Sequence, residues 1–325
     1  MSRLFFVPQL PVGLRYQEWW YIELTKHFDN MFDEVIVLGA KYLEKQLKMS
    51  HVCKISAGFS LPHEATQFEF HQMDEFSKWD HRDSDVLFLA DISFPGIFSN
   101  ILYQYPVKNA YAFCHATAIN AYDLWQPVRK QKWKAELAHA MLYKKVFVGS
   151  TYHHNKLINK GWKLPNLSVI RLPLPPMQTF NEEKERDVIS VARPCTQKTN
   201  IKLEKRVEKA LSTKIHRTVD YGLRTWEGYY RFVSGSKVML ITSKEETFGY
   251  QVIDALLNNC IPIAPNKYSY PELLPSKFLY DDPEDCTLKV AAAIDGSITL
   301  RERDKDILRN CEDFYLNLGK QFTVN

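Results

Sequence analysis

Two acidic residues and the start of a helix are the features of this sequence best suited to chemistry. Glu246 lies in a short loop, and Asp254 follows eight positions later. Beyond the loop, apolar residues repeat at helical spacing, at Val252, Ile253, Leu256 and Leu257. A helix is therefore predicted to begin near residues 248–249. Its first N–H groups would have no intrahelical partner and would form an anion site together with the helix dipole.

The spacing of these groups fits a ligand that carries an anion between two sets of hydroxyl groups. A rise of roughly 1.5 Å per residue separates the two carboxylates by about 10–12 Å along one side of the helix. In a nucleotide sugar, the sugar hydroxyls would meet Glu246, the diphosphate the amides of Thr247, Phe248 and Gly249, and the ribose Asp254. The alternative is an ordinary amphipathic helix whose acidic first turn stabilises the dipole. Spacing alone leaves both open.

A parallel sheet is predicted to hold this loop and a second, basic one. Apolar runs at residues 237–242 and 261–264 flank the Glu246 loop and its helix, which indicates strand, loop, helix and strand. Another predicted strand, at residues 187–192, is followed by Arg193 and Lys198. These can place a planar fork and a point charge on one diphosphate, although basic loop residues are often solvated surface. Both loops leave carboxyl ends of strands in one predicted sheet, which favours a shared anion site.

Composition and length indicate an α/β protein with two modest cores. The chain has 325 residues, of which 45% are apolar. No stretch approaches the roughly 20 apolar residues of a membrane span, so we expect a soluble, cytoplasmic protein. The six cysteines stand far apart without a C-x-x-C pair, so neither disulfides nor structural zinc is predicted.

Alternating strands and helices fill both halves of the chain and predict parallel sheets. The first half has six predicted strands, at residues 3–8, 34–39, 85–91, 109–115, 145–150 and 167–170. Asp91 and His115 fall at two of the strand ends. A proline-rich and then charged linker leads to the second half. We predict an N-terminal acceptor-side domain over residues 1–180, a donor domain over 181–300, and a terminal helix within 301–325 that packs back toward the first domain.

Several motifs resemble those of a known family. Ala192-Arg193 with Lys198 ends a strand, and residues 243–249 read Ser-Lys-Glu-Glu-Thr-Phe-Gly. Residues 260–263, Cys-Ile-Pro-Ile, and 271–273, Pro-Glu-Leu, follow. Together these are similar to the donor half of the retaining GT-B glycosyltransferases with an E-x7-E motif, which include mannosyl- and glucosyltransferases that use nucleotide sugars. The likeness spans about residues 145–275. It implies two Rossmann-like domains whose parallel sheets face a central cleft.

The resemblance also implies roles for individual residues. Arg193 and Lys198 would neutralise the departing diphosphate, so no metal cofactor is expected. Glu246 would hold the donor sugar and face its anomeric centre, with Asp254 on the ribose. His115 would hydrogen-bond the donor sugar, or is a satisfied core histidine. The implied activity is hexosyl or pentosyl transfer with retention of configuration.

Departures from the family pattern leave the identity of the donor open. Asp254 stands where glutamate is usual, and Ala192 where glycine is usual. The glycine-rich turn after the first strand is replaced by Pro-Gln-Leu-Pro-Val-Gly at residues 8–13.

A basic, aromatic stretch in the first half suggests the acceptor. Between residues 122 and 145, six Lys or Arg stand against two acidic residues, a net charge equal to that of the whole chain. The candidate acceptor-binding residues are Trp125, Arg129, Lys130, Lys132, Trp133 and Lys134. Such a patch suits nucleic acid or an anionic membrane surface, unless it is a solvated helix face with its tryptophans in the core. We favour nucleic acid, because no apolar stripe that could enter a bilayer follows.

The sequence thus favours a retaining glycosyltransferase with a nucleotide-sugar donor and a nucleic acid acceptor. Modified DNA is one such acceptor, since a small family of enzymes glycosylates hydroxymethylated bases of phage DNA. The alternatives are a glycosyltransferase acting on a lipid or glycan at a membrane surface, and a GT-B nucleotide-sugar epimerase or binding protein.

Overall fold

Two compact α/β units make up the chain in the computed structural model. The model describes residues 3–12, 15–43, 61–122, 128–176, 179–191, 198–223 and 225–322. The first unit comprises residues 1–149, 154–170 and 315–325, and the second comprises residues 150–153 and 171–314. The domain boundaries predicted at residues 180 and 300 stay predictions.

The first unit is built on a parallel sheet of six strands in the order β2-β1-β3-β4-β5-β6. The strands are β1 Arg3–Val7, β2 Glu34–Val37, β3 Val86–Leu89, β4 Asn109–Phe113, β5 Lys145–Val148 and β6 Leu167–Val169. All six were predicted, because strands buried on both faces read as continuous apolar runs. The strand order reverses between β1 and β3, and such a switch point at the carboxyl edge is where open α/β sheets bind ligands.

The second unit has a parallel sheet of five strands in the order β11-β10-β9-β7-β8. These are β7 Arg186–Ser190, β8 Ile215–Arg217, β9 Ser236–Leu240, β10 Ile261–Pro265 and β11 Leu279–Tyr280. The edge strand β8 was not predicted, because its three residues carry too little apolar pattern. In this sheet the order reverses between β7 and β9, which are hydrogen-bonded neighbours.

The helices pack against these sheets, and along the chain they alternate with the strands. They are α1 Tyr16–Asp29, α2 Leu61–Ser77, α3 Arg129–Ala140, α4 Thr151–Asn159, α5 Ile201–Leu211, α6 Trp226–Ser234, α7 Tyr250–Leu257, α8 Pro283–Ile294, α9 Asp306–Glu312 and α10 Phe314–Phe322. In the region after residue 300, where a terminal helix is predicted, the described chain has a 3₁₀ turn at Glu302–Lys305 followed by α9 and α10. The Asp304 carboxylate fixes that turn by accepting the Arg301 amide at 2.8 Å and Lys277 Nζ at 2.5 Å.

An aromatic cluster ties the last helix into the first unit. The Phe322 ring of α10 lies 5.9 Å from Phe28, 5.7 Å from Phe88 and 5.0 Å from Tyr111, centroid to centroid. All four side chains are buried. Edge-to-face pairs of this kind add to the stabilisation that burial of the rings provides.

Candidate active site

The two loops predicted to bind a diphosphate leave neighbouring strands at the switch point of the second unit. One loop follows β7 and includes Lys198, and the other follows β9 and includes Glu246. Backbone hydrogen bonds join them: the Lys244 amide donates to the Lys198 carbonyl at 2.9 Å, and the Asn200 amide to the Thr242 carbonyl at 3.0 Å. The structure thus brings the Lys198 and Glu246 loops together. Arg193 lies outside the described residues.

Glu246 lies on the amides that were predicted to bind the diphosphate. Its Oε1 accepts the backbone N–H of Thr247 at 2.9 Å and of Phe248 at 3.3 Å. The carboxylate is therefore itself the anion at this loop. A diphosphate that used the same two amides would have to displace this carboxylate.

The end of this loop is fixed at the start of α7. The Phe248 carbonyl accepts Ser269 Oγ at 2.7 Å. Gly249 is the N-cap and has a φ of 105°, in the left-handed region. A β-carbon there would come within 3.1 Å of Tyr270 Cε1. Both conformation and space therefore require glycine at this position.

The Pro-Glu-Leu motif and Ser150 hold neighbouring backbone within the second unit. Ser150 Oγ donates to the Thr247 carbonyl. Glu272 accepts the amides of Thr151 at 2.9 Å and Tyr152 at 2.5 Å, and pairs with Arg171 at 2.8 Å. Burial alone would raise the pKa of Glu272, but these donors hold it below its usual value. Glu272 thus holds the backbone at Thr151 and Tyr152 in place.

Asp254 faces α6. Its carboxylate is 7% exposed and accepts the hydroxyl of Tyr229 at 2.8 Å and of Tyr230 at 2.9 Å. Burial raises the pKa of Asp254 to about 6, although both tyrosine hydrogen bonds act in the opposite direction. The structure thus gives Asp254 two protein partners, and its contact with a ribose stays a prediction.

The Asp254→Asn substitution tests this burial. Because the folded-state pKa lies above the ordinary value of about 3.9, the folded protein binds more protons than the unfolded chain between about pH 4 and pH 6. Through Asp254, the free energy of unfolding should fall as pH rises across that window, by on the order of 2–3 kcal/mol. The asparagine variant lacks this contribution, so its stability relative to wild type should rise from pH 4 to pH 7. Urea unfolding at both pH values measures this, and parallel pH profiles would contradict it.

His115 lies in the first unit, at the carboxyl edge of its sheet. Its ring centroid is 4.6 Å from that of Trp20 and 4.8 Å from that of Tyr16. Burial lowers the pKa of His115 to about 3, so the imidazole is neutral at pH 7. Nε2 lies 3.1 Å from the Ala90 carbonyl, which can only accept, so Nε2 carries the proton and Nδ1 the lone pair. Its contact with a donor sugar stays a prediction.

Asp91, a strand-end residue not included among the predicted site residues, lies beside His115. It is 3% exposed and accepts Gln9 Nε2 at 2.7 Å and the Ser93 amide at 3.0 Å. It also accepts the His115 amide, while burial raises the pKa of Asp91 well above its usual value. Gln9 follows β1 and Asp91 follows β3, so this pair spans the switch point of the first sheet. The signal in the sequence was the position of Asp91 directly after a strand.

The basic patch is smaller than its sequence suggests. Helix α3 turns Lys132 inward, where its side chain is 11% exposed and Nζ donates to the Pro95 carbonyl at 2.7 Å. Trp133 packs against the hydrophobic core, and its Nε1 donates to the Lys160 carbonyl at 3.2 Å. The reason is the helical period, which puts Lys132 on the same side of α3 as the buried Glu136, one turn further along the helix. Arg129, Lys130 and Lys134 remain at or near the surface, and Trp125 lies outside the described residues.

Comparison with solved structures identifies the fold. Sucrose-phosphate synthase from Thermosynechococcus elongatus superposes with a TM-score of 0.67 at 11% identity, covering 99% of this chain and 98% of that one. The lipopolysaccharide outer core galactosyltransferase WaaB, in its apo form, gives a TM-score of 0.61 at 13% identity. Anabaena HepE, in complex with UDP and glucose, gives a TM-score of 0.61 at 11% identity. Each comparison covers 99% of this chain and 98% of the other. This chain has the GT-B fold. The resemblance to GT-B glycosyltransferases that the motifs predicted is therefore confirmed at the level of the fold.

A curated relative is similar to part of this chain in sequence. The tRNA-queuosine alpha-mannosyltransferase of Drosophila melanogaster is 31% identical over 84 residues, which are 26% of this GT-B chain and 22% of that protein. The match thus covers about a fifth of the relative's length. No protein-family profile matches the chain. Over the described residues, no helix is long and apolar enough to cross a membrane, and no three or more metal-ligating side chains are grouped to hold an ion.

Proposed function

We propose that this chain is a retaining glycosyltransferase that moves a hexose from a nucleotide-sugar donor to a nucleic acid acceptor. The observation that carries the donor half of the proposal is the meeting of the Lys198 and Glu246 loops at the switch point of the second sheet. Such points bind nucleotides in open α/β sheets. The GT-B fold over 99% of the chain supports it.

The donor chemistry follows from the charges around the two loops. As the bond between sugar and diphosphate breaks, negative charge develops on the diphosphate. We expect Lys198 and Arg193 to neutralise that charge, and preorganised charges of this kind lower the barrier. The amides of Thr247 and Phe248 add hydrogen bonds once Glu246 leaves them. Glu246 then serves the sugar and its anomeric centre.

The acceptor half of the proposal rests on the curated relative. The name of that protein states that it modifies a tRNA, and its match to this chain supports a nucleic acid acceptor. The surface cations of α3 supply a positive charge suited to phosphates. RNA thereby becomes a test substrate of equal standing with the modified DNA that the sequence suggested.

Transfer of label decides between the acceptor classes. The protein is incubated with radiolabelled UDP- and GDP-hexoses, first alone to detect slow donor hydrolysis and then with tRNA, hydroxymethylated DNA, lipid extracts or free glycans. We expect label in nucleic acid only. Label in lipid or glycan would show that the acceptor is not a nucleic acid. Isomerised donor would indicate an epimerase, and binding of the donor without any turnover would indicate a binding protein.

The product should keep the anomeric configuration of the donor, and the reaction should proceed without an added divalent metal. The proposed cations Arg193 and Lys198 would take the role that a metal ion has in other transferases. NMR coupling constants of the product and rates in EDTA measure the two properties. An inverted product, or activity that is lost in EDTA and returns with Mg²⁺ or Mn²⁺, would contradict the proposal.

Salt dependence tests the α3 cations. Replacing Arg129, Lys130 and Lys134 with glutamine should lower the slope of log K for nucleic acid against log salt by about 2–3, at roughly 0.7–0.9 per phosphate contact. A matched control replaces three exposed cations of α5, Lys205, Arg206 and Lys209, and should leave the slope unchanged. Equal slopes in both triple variants would remove α3 from the interface.

A further inference from the structure

Glu204 joins the carboxyl ends of three neighbouring strands. It lies on α5 and is 1% exposed. Its Oε1 accepts Ser190 Oγ at 2.9 Å and Thr242 Oγ1 at 3.1 Å. Its Oε2 accepts Arg217 Nε at 2.9 Å. Ser190 ends β7, Arg217 ends β8, and Thr242 follows β9, so one carboxylate spans the switch point of the second sheet.

A buried carboxylate here supplies directional bonds that an apolar side chain would not. Burying a charge is costly unless it is paired and hydrogen-bonded. Arg217 balances the charge of Glu204, and the two hydroxyls and Nε–H satisfy its oxygens. The four groups thus form a neutral network with defined geometry. The network therefore joins α5 to the ends of β7 and β9, which are hydrogen-bonded neighbours in the sheet, at the points where their loops begin.

Those two strand ends are the roots of the candidate phosphate-binding loops. The chain runs from Ser190 to Lys198 on one side and from Thr242 to Glu246 on the other. Further along, the Lys198 carbonyl and the Lys244 amide are hydrogen-bonded at 2.9 Å. The two segments are therefore joined by the backbone at Lys198 and Lys244 and by Glu204 at Ser190 and Thr242.

We infer that Glu204 is a positioning residue that sets the separation of the Lys198 and Glu246 loops for a nucleoside diphosphate. The inference rests on the proposed function, because it assigns the ligand of the same loops. Glu204 touches no part of the ligand and acts through Ser190 and Thr242. Supporting residues that hold contact groups in place in this way decide how well a site fits its ligand.

Glu204→Leu separates this role from a charge effect. Removing a negative charge near an anion site would by itself strengthen anion binding. Loss of the tie between the loops should instead weaken it, on the order of 10–100-fold for a displacement of about 1 Å. Glu204→Gln should restore wild-type affinity, because its NH₂ can donate to both hydroxyl oxygens while its Oε1 accepts from Arg217.

The matched control is Glu208→Leu. Glu208 lies one turn further along α5 and contacts the same Arg217 at 3.5 Å, but its Oε1 accepts the Ile215 amide and touches neither loop root. UDP, GDP and ADP, each with its nucleoside, are titrated against wild type and the variants by NMR. Thermal unfolding shows whether each variant is folded. Should Glu204→Leu not fold, the double variant Ser190→Ala, Thr242→Val removes the same tie and leaves the Glu204–Arg217 pair intact.

The expected result is a loss of diphosphate affinity in Glu204→Leu, or in the double variant, with nucleoside affinity unchanged. Glu204→Gln and Glu208→Leu should bind as wild type does. Diphosphate affinity equal to wild type, or an equal loss for nucleoside and diphosphate, would overturn the positioning role. Failure of the wild type to bind any of the three diphosphates would instead overturn the proposed function.

Discussion

Replacing Glu246 with alanine is expected to lower kcat for sugar transfer by on the order of 10³-fold or more, the upper range for loss of one preorganised electrostatic group. The affinity for the nucleoside diphosphate should at the same time stay equal or become stronger. The reason is that the Glu246 carboxylate occupies the Thr247 and Phe248 amides. Its removal frees two anion-binding donors and takes away a negative charge that would repel the diphosphate.

Opposite effects on turnover and binding make this result specific. A variant that had only lost its fold would lose both, and a loop carboxylate contributes little to the core. The neighbouring Glu245→Ala is the matched control, since it removes the same charge one residue away from these amides. Single-turnover rates and diphosphate titrations measure the two quantities. Near wild-type turnover in Glu246→Ala would remove Glu246 from the active site.

The strands of both sheets could be predicted from sequence because their burial on two faces leaves a simple signal. The apolar runs placed every strand of the first sheet. Errors are concentrated where local pattern is weak. The three-residue β8 carries little pattern, and the turn at Glu302–Lys305 depends on a bond from the distant Lys277. Contacts between residues far apart in sequence leave no periodic trace.

Side-chain direction was the part of the site least accessible from sequence. The E-x7-E-like spacing places Glu246 in the loop before α7 and Asp254 on that helix, but the direction of each side chain depends on what packs beside it. Here the hydroxyl groups of Tyr229 and Tyr230, on α6, donate hydrogen bonds to the Asp254 carboxylate. Likewise Lys132 reads as a surface cation until Glu136 and the Pro95 carbonyl are placed next to it. The role of Glu204 could not be predicted from the sequence, because its hydrogen-bond partners lie at the ends of three separate strands.

The sequence left two interpretations of His115 open, a hydrogen bond to the donor sugar and a structural role in the core. The structure defines the charge and the tautomer of its ring. Its imidazole is neutral and partly exposed, with Nε2 directed to the Ala90 carbonyl. A neutral ring with the proton on Nε2 can accept a hydrogen bond from a hydroxyl group at Nδ1, whereas an imidazolium could not. Its chemistry therefore suits a sugar hydroxyl, while its contacts with Trp20 and Tyr16 also satisfy a structural role.

Replacing Lys198 with alanine is expected to lower kcat by on the order of 10²–10³-fold, the usual size of losing one charge contact made in the transition state. Lys198 is only partly exposed, and its backbone is hydrogen-bonded to the Glu246 loop through Lys244. Lys198 thus lies beside the Glu246 loop, where we expect the diphosphate to depart. Arg193→Ala should have an effect of the same order, because the two cations share that charge.

Lys202→Ala is the matched control, since Lys202 lies one turn further along the same segment and is exposed. It should change kcat by less than about threefold, as expected when a solvated surface charge is lost. Lys198→Arg keeps the charge and should recover part of the rate, although a guanidinium is a planar fork and not a point donor. Because the charge that Lys198 neutralises develops on the leaving group, the loss should be larger for poor leaving groups than for good ones. Donors that carry the same sugar on different leaving groups, compared in single turnover, would show this. An effect of Lys198→Ala as small as that of Lys202→Ala would place the departing diphosphate elsewhere.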